Sequence, residues 1–164
     1  MNTLSIRPVR REEYPRVVEL IKRTMLEVNI RDYAEDYLLE YVKRYGEKEL
    51  AAFVESPGCH FYVAYLGDAL AACGAIAPSE EMKGAVEIRS LYVRPDLEGM
   101  GLGREMMAVL EGDSAFLSAR WVVVSASITA HAFYAKLGYT YAGGEPTLVE
   151  NDHYWMEKFP KRKK

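Results

Sequence analysis

The sequence predicts one mixed α/β domain, and three observations lead there. Strand and helix patterns alternate along 164 residues, one strand runs into a helix through a cluster of glycines, and the composition (49% hydrophobic, 27% charged) is that of an ordinary globular protein. That length suits one core, because two domains would each rest on a small one. The expectation is a single domain over residues 1–160 followed by a short basic tail, 161–164.

The elements follow in order. Leu4 to Val9 reads as an opening strand with Leu4 and Ile6 on one face. Val17, Val18, Leu20, Ile21, Met25 and Val28 recur at helical spacing. A second helix is expected from Tyr33 to Tyr45, with Tyr33, Tyr37, Tyr41 and Tyr45 along one side. A shorter helix covers Glu47 to Phe53, before the breaker Ser56-Pro57-Gly58. His60 to Leu66 is a strand, Gly67-Asp68 a tight turn, and Ala69 to Ala77 the hairpin partner. Pro78 to Gly84 is a polar connection, and Ala85 to Val93 a third strand stopped by Pro95. Leu102 to Leu117 is helical, with Gly112 imposing a bend or an early end. Trp121 to Ala126 is an unbroken apolar strand, the pattern of a strand covered on both faces. A helix from Thr129 to Leu137 stops at Gly138, and two strands occupy roughly Tyr139 to Ala142 and His153 to Phe159. No repeat, linker or low-complexity segment interrupts this order.

The formal net charge of -3 argues against a nucleic-acid surface, which is normally basic. The terminal lysines read as a solvated end. Cys59 and Cys73, in strand-like surroundings, show neither CxxC spacing nor a histidine pair, so buried free thiols are expected rather than a metal site or disulfide. Met1 to Pro8 lacks the apolar core of a signal peptide, and no apolar run approaches the ~20 residues of a membrane span. The expected location is the cytoplasm.

The strongest chemical signal is Leu91 to Arg104, which leaves a strand and enters a helix through Glu98-Gly99-Met100-Gly101-Leu102-Gly103. Glycines there let the backbone turn sharply, and the free amides at the helix start suit phosphate oxygens. No Gly-Lys-Ser/Thr follows, so it is not a P-loop, and the GxGxG spacing is not the dinucleotide fingerprint. On its own the segment also reads as a tight turn with no ligand.

A second segment narrows the choice. Val93-Arg-Pro-Asp-Leu-Glu-Gly-Met-Gly-Leu-Gly103 and Ala126-Ser-Ile-Thr-Ala-His-Ala-Phe-Tyr-Ala-Lys-Leu-Gly-Tyr139, taken together, resemble the GCN5-related N-acetyltransferase (GNAT) superfamily. Ile6-Arg7-Pro8 and Met156-Glu157-Lys158 resemble its habitual ends. The resemblance implies a GNAT-type mixed, mostly antiparallel sheet of six to seven strands, about four flanking helices and a splayed coenzyme-binding cleft. It implies acetyl-CoA as co-substrate, an amine acceptor and no metal, and it is compatible with a homodimer. One departure is Glu98, where the family prefers Gln or Arg; Arg104 is the nearest compensating charge.

Carried over by position, the resemblance implies that Leu91, Tyr92 and Val93 present backbone groups to the pantetheine arm. The pyrophosphate falls to Glu98, Gly99, Met100, Gly101, Leu102, Gly103 and Arg104, and the far wall to Ser127 with Phe133 near the arm. Tyr134 matches the residue that protonates the leaving sulfur; it also reads as an aromatic packing residue. Glu87 is the candidate base, or a solvated charge paired with Arg89 on the same strand face. His131 reads as solvent-facing, and His60 and His153 as structural. The tyrosine stripe reads as a packing face, although the family's first helices border the acceptor site, so some of Tyr33, Tyr37 and Tyr41 could line it. Glu35, Asp36 and Glu40 suit a cationic amine or a wet helix face.

The expected function is N-acetyl transfer from acetyl-CoA to a primary amine by direct attack, with no covalent intermediate because no Cys/His nucleophile pair stands out. A non-catalytic acyl-CoA-binding module is the second reading. Acceptor identity is expected to reside in the first helices and in the connection from Gly143 to Asp152.

Overall fold

Among the described residues, seven strands make one sheet: β1 (Leu4–Pro8), β2 (His60–Leu66), β3 (Ala69–Pro78), β4 (Val86–Val93), β5 (Val122–Ser127), β6 (Thr140–Tyr141) and β7 (His153–Lys158). They come from a computed structural model that describes residues 3–150 and 152–160. The spatial order is β1-β2-β3-β4-β5-β7-β6. Every neighbouring pair is antiparallel except β4 and β5, which run parallel. The helices are α1 (Tyr14–Glu27), α2 (Glu35–Arg44), α3 (Glu47–Val54), α4 (Leu102–Glu111), α5 (Ser114–Leu117) and α6 (His131–Lys136). Among the described residues no helix is long and apolar enough to cross a membrane. The basic tail lies outside the described residues.

Two of these helices divide one expected segment. The Leu102–Leu117 stretch breaks at Gly112, and the buried Asp113 starts α5 by accepting a hydrogen bond from the Ala115 amide at 2.7 Å. Upstream, the tyrosine stripe is only partly helical. Ala34 is extended (φ -60°, ψ 138°) and α2 starts with Glu35 and Asp36 in its first turn, which places Tyr33 ahead of the helix. Cys59 sits in the turn before β2 rather than in a strand, half-buried; Cys73 is buried within β3.

The sheet is covered on both faces. On one side α1, α2 and α3 bury Val17, Ile21, Leu38 and Leu50 against Val63 and Ala75. On the other, Met106 and Leu110 of α4 and Phe116 of α5 pack on Ile76, Ile88 and Val122. Removing one of these large side chains, as in Leu110→Ala, costs roughly 2–5 kcal/mol. Close approach of α4 depends on Gly74, where a Cβ would lie 3.0 Å from Met106 Cγ and 3.1 Å from Leu110 Cδ1. The apolar run in β5 follows from this two-sided cover.

At the centre the sheet opens. β4 and β5 are in register only from Val86 to Ile88 and from Val122 to Val124. Beyond that, β4 continues along β3 to Val93 and β5 along β7 to Ser127. The two strands diverge and leave facing edges unpaired between them.

Candidate active site

A bulge in β4 decides which side chains reach this gap. Cys73 is opposite Tyr92 and Ala75 opposite Arg89, so Ser90 and Leu91 have no register partner on β3. Ser90 takes φ 56°, a left-handed conformation uncommon outside glycine, and its carbonyl accepts a hydrogen bond from the buried Cys73 thiol at 3.3 Å. Regular alternation would set Glu87, Arg89, Leu91 and Val93 on one face. The extra residue instead puts Tyr92 beside Glu87 and Arg89, while Leu91 and Val93 join Ile88 on the α4 side. Nothing in the sequence marks this bulge, because no glycine stands at the left-handed position.

The gap holds a cleft of about 830 Å³. One wall is the β4 edge with the glycine loop, and the other comes from Ser125, Ser127 and the start of α6. Gly99 (φ 81°) and Gly101 (φ 82°) adopt left-handed backbone, and a Cβ on either would meet nothing within 4 Å. These glycines are therefore required by the turn, and the space beside them is open. Gly101 caps α4, so the free amides of the first helical turn border the cleft. Gly103 lies under Phe133, where a Cβ would approach the ring to 3.3 Å. Of the coenzyme-site residues expected from sequence, all line the cleft except Met100, which is 63% exposed.

Glu98 finds its counter-charge across the mouth of the cleft. Its carboxylate lies 3.5 Å from Arg31, on the short turn Asn29–Arg31 between α1 and α2. The neighbouring Asp32 accepts hydrogen bonds from the Thr129 amide (3.2 Å) and hydroxyl (2.5 Å) on the opposite wall. Consecutive residues of this connection thus hold both walls. Arg104 lines the cleft from the first turn of α4.

A second chamber of about 430 Å³ adjoins the cleft and shares Tyr33, Tyr41, Glu87, Arg89, Tyr92 and Ser125 with it. Glu87 stands at this junction with its side chain 12% exposed. Burial pushes its carboxyl pKa up, against the opposing effects of the Ser79 hydroxyl, which donates to it at 2.8 Å, and of Arg89. Arg89 is a loose partner: its Nε lies 3.9 Å from Glu87, while its guanidinium sits 4.4 Å from the Phe53 ring centroid. Ser79 is itself fixed by the Met82 amide at 3.0 Å.

Tyr134 lies at the α6 side of the cleft, edge-on to Phe133 and Tyr139 with ring centroids 5.1 and 5.8 Å away. Its burial raises the phenol pKa well above the usual value, so the hydroxyl stays protonated at neutral pH. Tyr134 and Glu87 border the same cleft from opposite walls.

Several side chains take places other than those expected. Tyr33, Tyr37 and Tyr41 line the chamber instead of forming only a packing face. His131 is not solvent-facing: its Nδ1 is 2.6 Å from the Tyr141 hydroxyl and its ring is 4.8 Å from Tyr154. His60 is structural, held by Asp113 at 2.7 Å, whereas His153 also lines the chamber. Glu35, Asp36 and Glu40 are exposed and outside the chamber, Glu40 pairing with Arg44 at 2.7 Å. The described residues of the Gly143–Asp152 connection do not line it either. The polar connection after β3 does, through Glu80 and Glu81, and Trp155 of β7 completes the wall. Sequence reasoning missed Ser79, Glu80, Glu81 and Trp155; the adjacent acids in a polar connection were the available signal.

Comparison with solved structures places the chain in a populated fold. A PaiA N-acetyltransferase from Thermoplasma acidophilum, solved with coenzyme A, superposes with a TM-score of 0.79 at 16% identity, covering 96% of this chain and 99% of that one. A GCN5-related N-acetyltransferase from Rhodopseudomonas palustris gives 0.75 at 22% identity, covering 97% of each. A structure of yncA from Salmonella typhimurium with its cofactor acetyl-CoA gives 0.66 at 17% identity, covering 99% and 96%. At these identities the likeness concerns the fold. A comparison with curated proteins finds no match. The model of the acetyltransferase (GNAT) family matches residues 26–139, from the end of α1 to the residue after Gly138, and the chain belongs to that family.

Proposed function

We propose that this protein transfers an acetyl group from acetyl-CoA to a primary amine by direct attack in a ternary complex. The observation that carries the reading is the meeting of two cavities at Glu87: a long cleft between β4 and β5, and a smaller chamber under the α1–α2 connection. Two reactants held in adjoining spaces is what direct transfer needs. The coenzyme A and acetyl-CoA in the Thermoplasma and Salmonella structures support acetyl-CoA as the donor here.

The residues present fit that donor. Amides from Gly99 to Arg104 offer a phosphate-binding turn at a helix start, with open space beside Gly99 and Gly101. The unpaired β4 edge at Leu91 to Val93 can accept an extended arm as an added strand. Ser127 and Phe133 supply the opposite side. Arg31 keeps the Glu98 carboxylate engaged, which removes the apparent conflict with a pyrophosphate.

Acetyl-CoA supplies an activated acyl carbon: the amine nitrogen bonds to it, the carbon–sulfur bond breaks, the amine loses a proton and the sulfur gains one. Glu87 takes the amine proton. Its raised pKa makes it a better proton acceptor than an ordinary carboxylate once ionised, and the Ser79 hydroxyl holds one of its oxygens in place. Tyr134 gives the proton to sulfur, since burial keeps its phenol protonated.

Thiol release from acetyl-CoA with a panel of primary amines tests the reading, together with the Tyr134→Phe variant. The expected result is amine-dependent release that falls about a hundredfold in kcat in the variant, with the acetyl-CoA dissociation constant within about twofold. Unchanged turnover in Tyr134→Phe would remove the phenol from the mechanism.

A further inference from the structure

The chamber beside Glu87 has a composition that selects among amines. Its walls are rings: Tyr33, Tyr37 and Tyr41 from the α1–α2 connection and α2, Tyr92 from β4, and Trp155 from β7. Tyr33 and Tyr37 stack with centroids 6.0 Å apart, so their rings line this side of the chamber as a pair. Among the described residues its charges are three carboxylates, Glu80, Glu81 and Glu87, against one guanidinium, that of Arg89. That guanidinium is already shared between Glu87 and the Phe53 ring.

The carboxylates are not equivalent. Glu87 is mostly buried at the junction with the cleft, where the reacting nitrogen must sit. Glu80 and Glu81 are exposed, at the solvent side, yet close enough for their charge to favour the protonated form of Glu87. A chamber of about 430 Å³ is the size of a metabolite, not of a folded partner. Ring faces attract cations, and the neighbouring acids deepen that attraction.

We propose that the acceptor is a small aliphatic amine carrying a second positive charge, its reacting nitrogen at Glu87 and its second cation between the tyrosine face and Glu80/Glu81. The inference rests on the amine-transfer reading above. Glu80 and Glu81 become residues that set specificity without touching the reacting atoms. An anionic head group is repelled by the same acids, and a neutral one gains only contact with the rings.

Matched amines test it. Aminobutyl-trimethylammonium and its tert-butyl isostere share spacer, shape and a similar amine basicity, and differ in the second charge. An aminoalkanoate of the same length serves as the anionic arm. The expected order of kcat/KM is cation, neutral, anion, with at least about tenfold between the first two. In the E80Q/E81Q double variant that ratio should fall to about threefold or less. Unchanged acetyl-CoA affinity by calorimetry shows that the variant is folded. Equal efficiency for the charged and neutral amines, or a ratio that survives in the double variant, overturns the inference alone. Absence of thiol release across all amines, with acetyl-CoA bound, overturns the transfer reading and the inference with it.

Discussion

The cleft and the chamber adjoin, yet they are built by opposite means. About half of the cleft's lining comes from one continuous stretch, Glu87 to Arg104, glycine-rich where it enters α4, and the rest from α1, the connection to α2, α2, β5 and α6. The chamber is mostly side chains from segments scattered between Met25 and Trp155. A donor common to many enzymes can be held by amides and a helix start, which any sequence with the right glycines provides. An acceptor particular to one enzyme must be read by side chains, and these are free to differ. On the proposed function, the difference separates the part of the site that defines the reaction from the part that defines the substrate.

The comparison can be broken at its seam, where Glu87 belongs to both spaces. Glu87→Gln is expected to lower kcat about a hundredfold and to abolish the acidic limb of the pH–rate profile. In the proposed role Glu87 acts when ionised, so in the parent the rate is expected to climb as pH rises through the raised carboxyl pKa. A raised folded-state pKa also carries a stability term. That contribution is fully present below the unfolded pKa and fades as pH rises through the folded one, so Glu87→Gln should flatten the corresponding slope in thermal melts. An acidic limb that persists in the variant assigns it to another group.

On the backbone side, Gly101→Val forces a β-branched residue to φ 82° at the start of α4. A free loop that relaxes to escape about 2 kcal/mol of strain must regain it on binding, so acetyl-CoA affinity should fall about thirtyfold by calorimetry. Affinity unchanged in this variant would mean the loop conformation does not matter for the donor. On the side-chain side, Ser79→Ala removes the hydroxyl that stabilises ionised Glu87. The acidic limb should move to higher pH, with kcat at neutral pH reduced about threefold; a limb that stays in place denies Ser79 its positioning role. The smallest effect belongs to the mouth of the cleft. Arg31→Ala should cost about twofold in acetyl-CoA affinity, as expected for an exposed pair, and adding Glu98→Gln should restore it. Failure of that rescue would show that Arg31 acts on the donor directly.

The same contrast explains how far the sequence could be read. The order of elements was legible because periodicity and breakers are local: β2 spans His60–Leu66 as its pattern requires, and Gly112 interrupts the helix where it stands. The glycine loop was legible because left-handed turns favour glycine. The bulge at Ser90 was not, since a serine at positive φ leaves no signature, and the bulge alone sets Tyr92 beside Glu87. The chamber was illegible for a different reason. Glu80, Tyr37 and Trp155 are neighbours only after β3, α2 and β7 are assembled, and no local pattern encodes that meeting. Glu98 was recognised as discordant, but its partner Arg31 is 67 residues away along the chain.

The parting of β4 from β5 has a mechanical side. Three residue pairs join a four-stranded half of the sheet to a three-stranded half, and the free edges face inward rather than outward to other chains. A molecule lying between these edges is a cross-tie as well as a reactant. At a hundredfold excess over its dissociation constant, such a ligand adds about 2.7 kcal/mol to the folded state. The lifetime of this fold in a cell is then coupled to the supply of the ligand that bridges it.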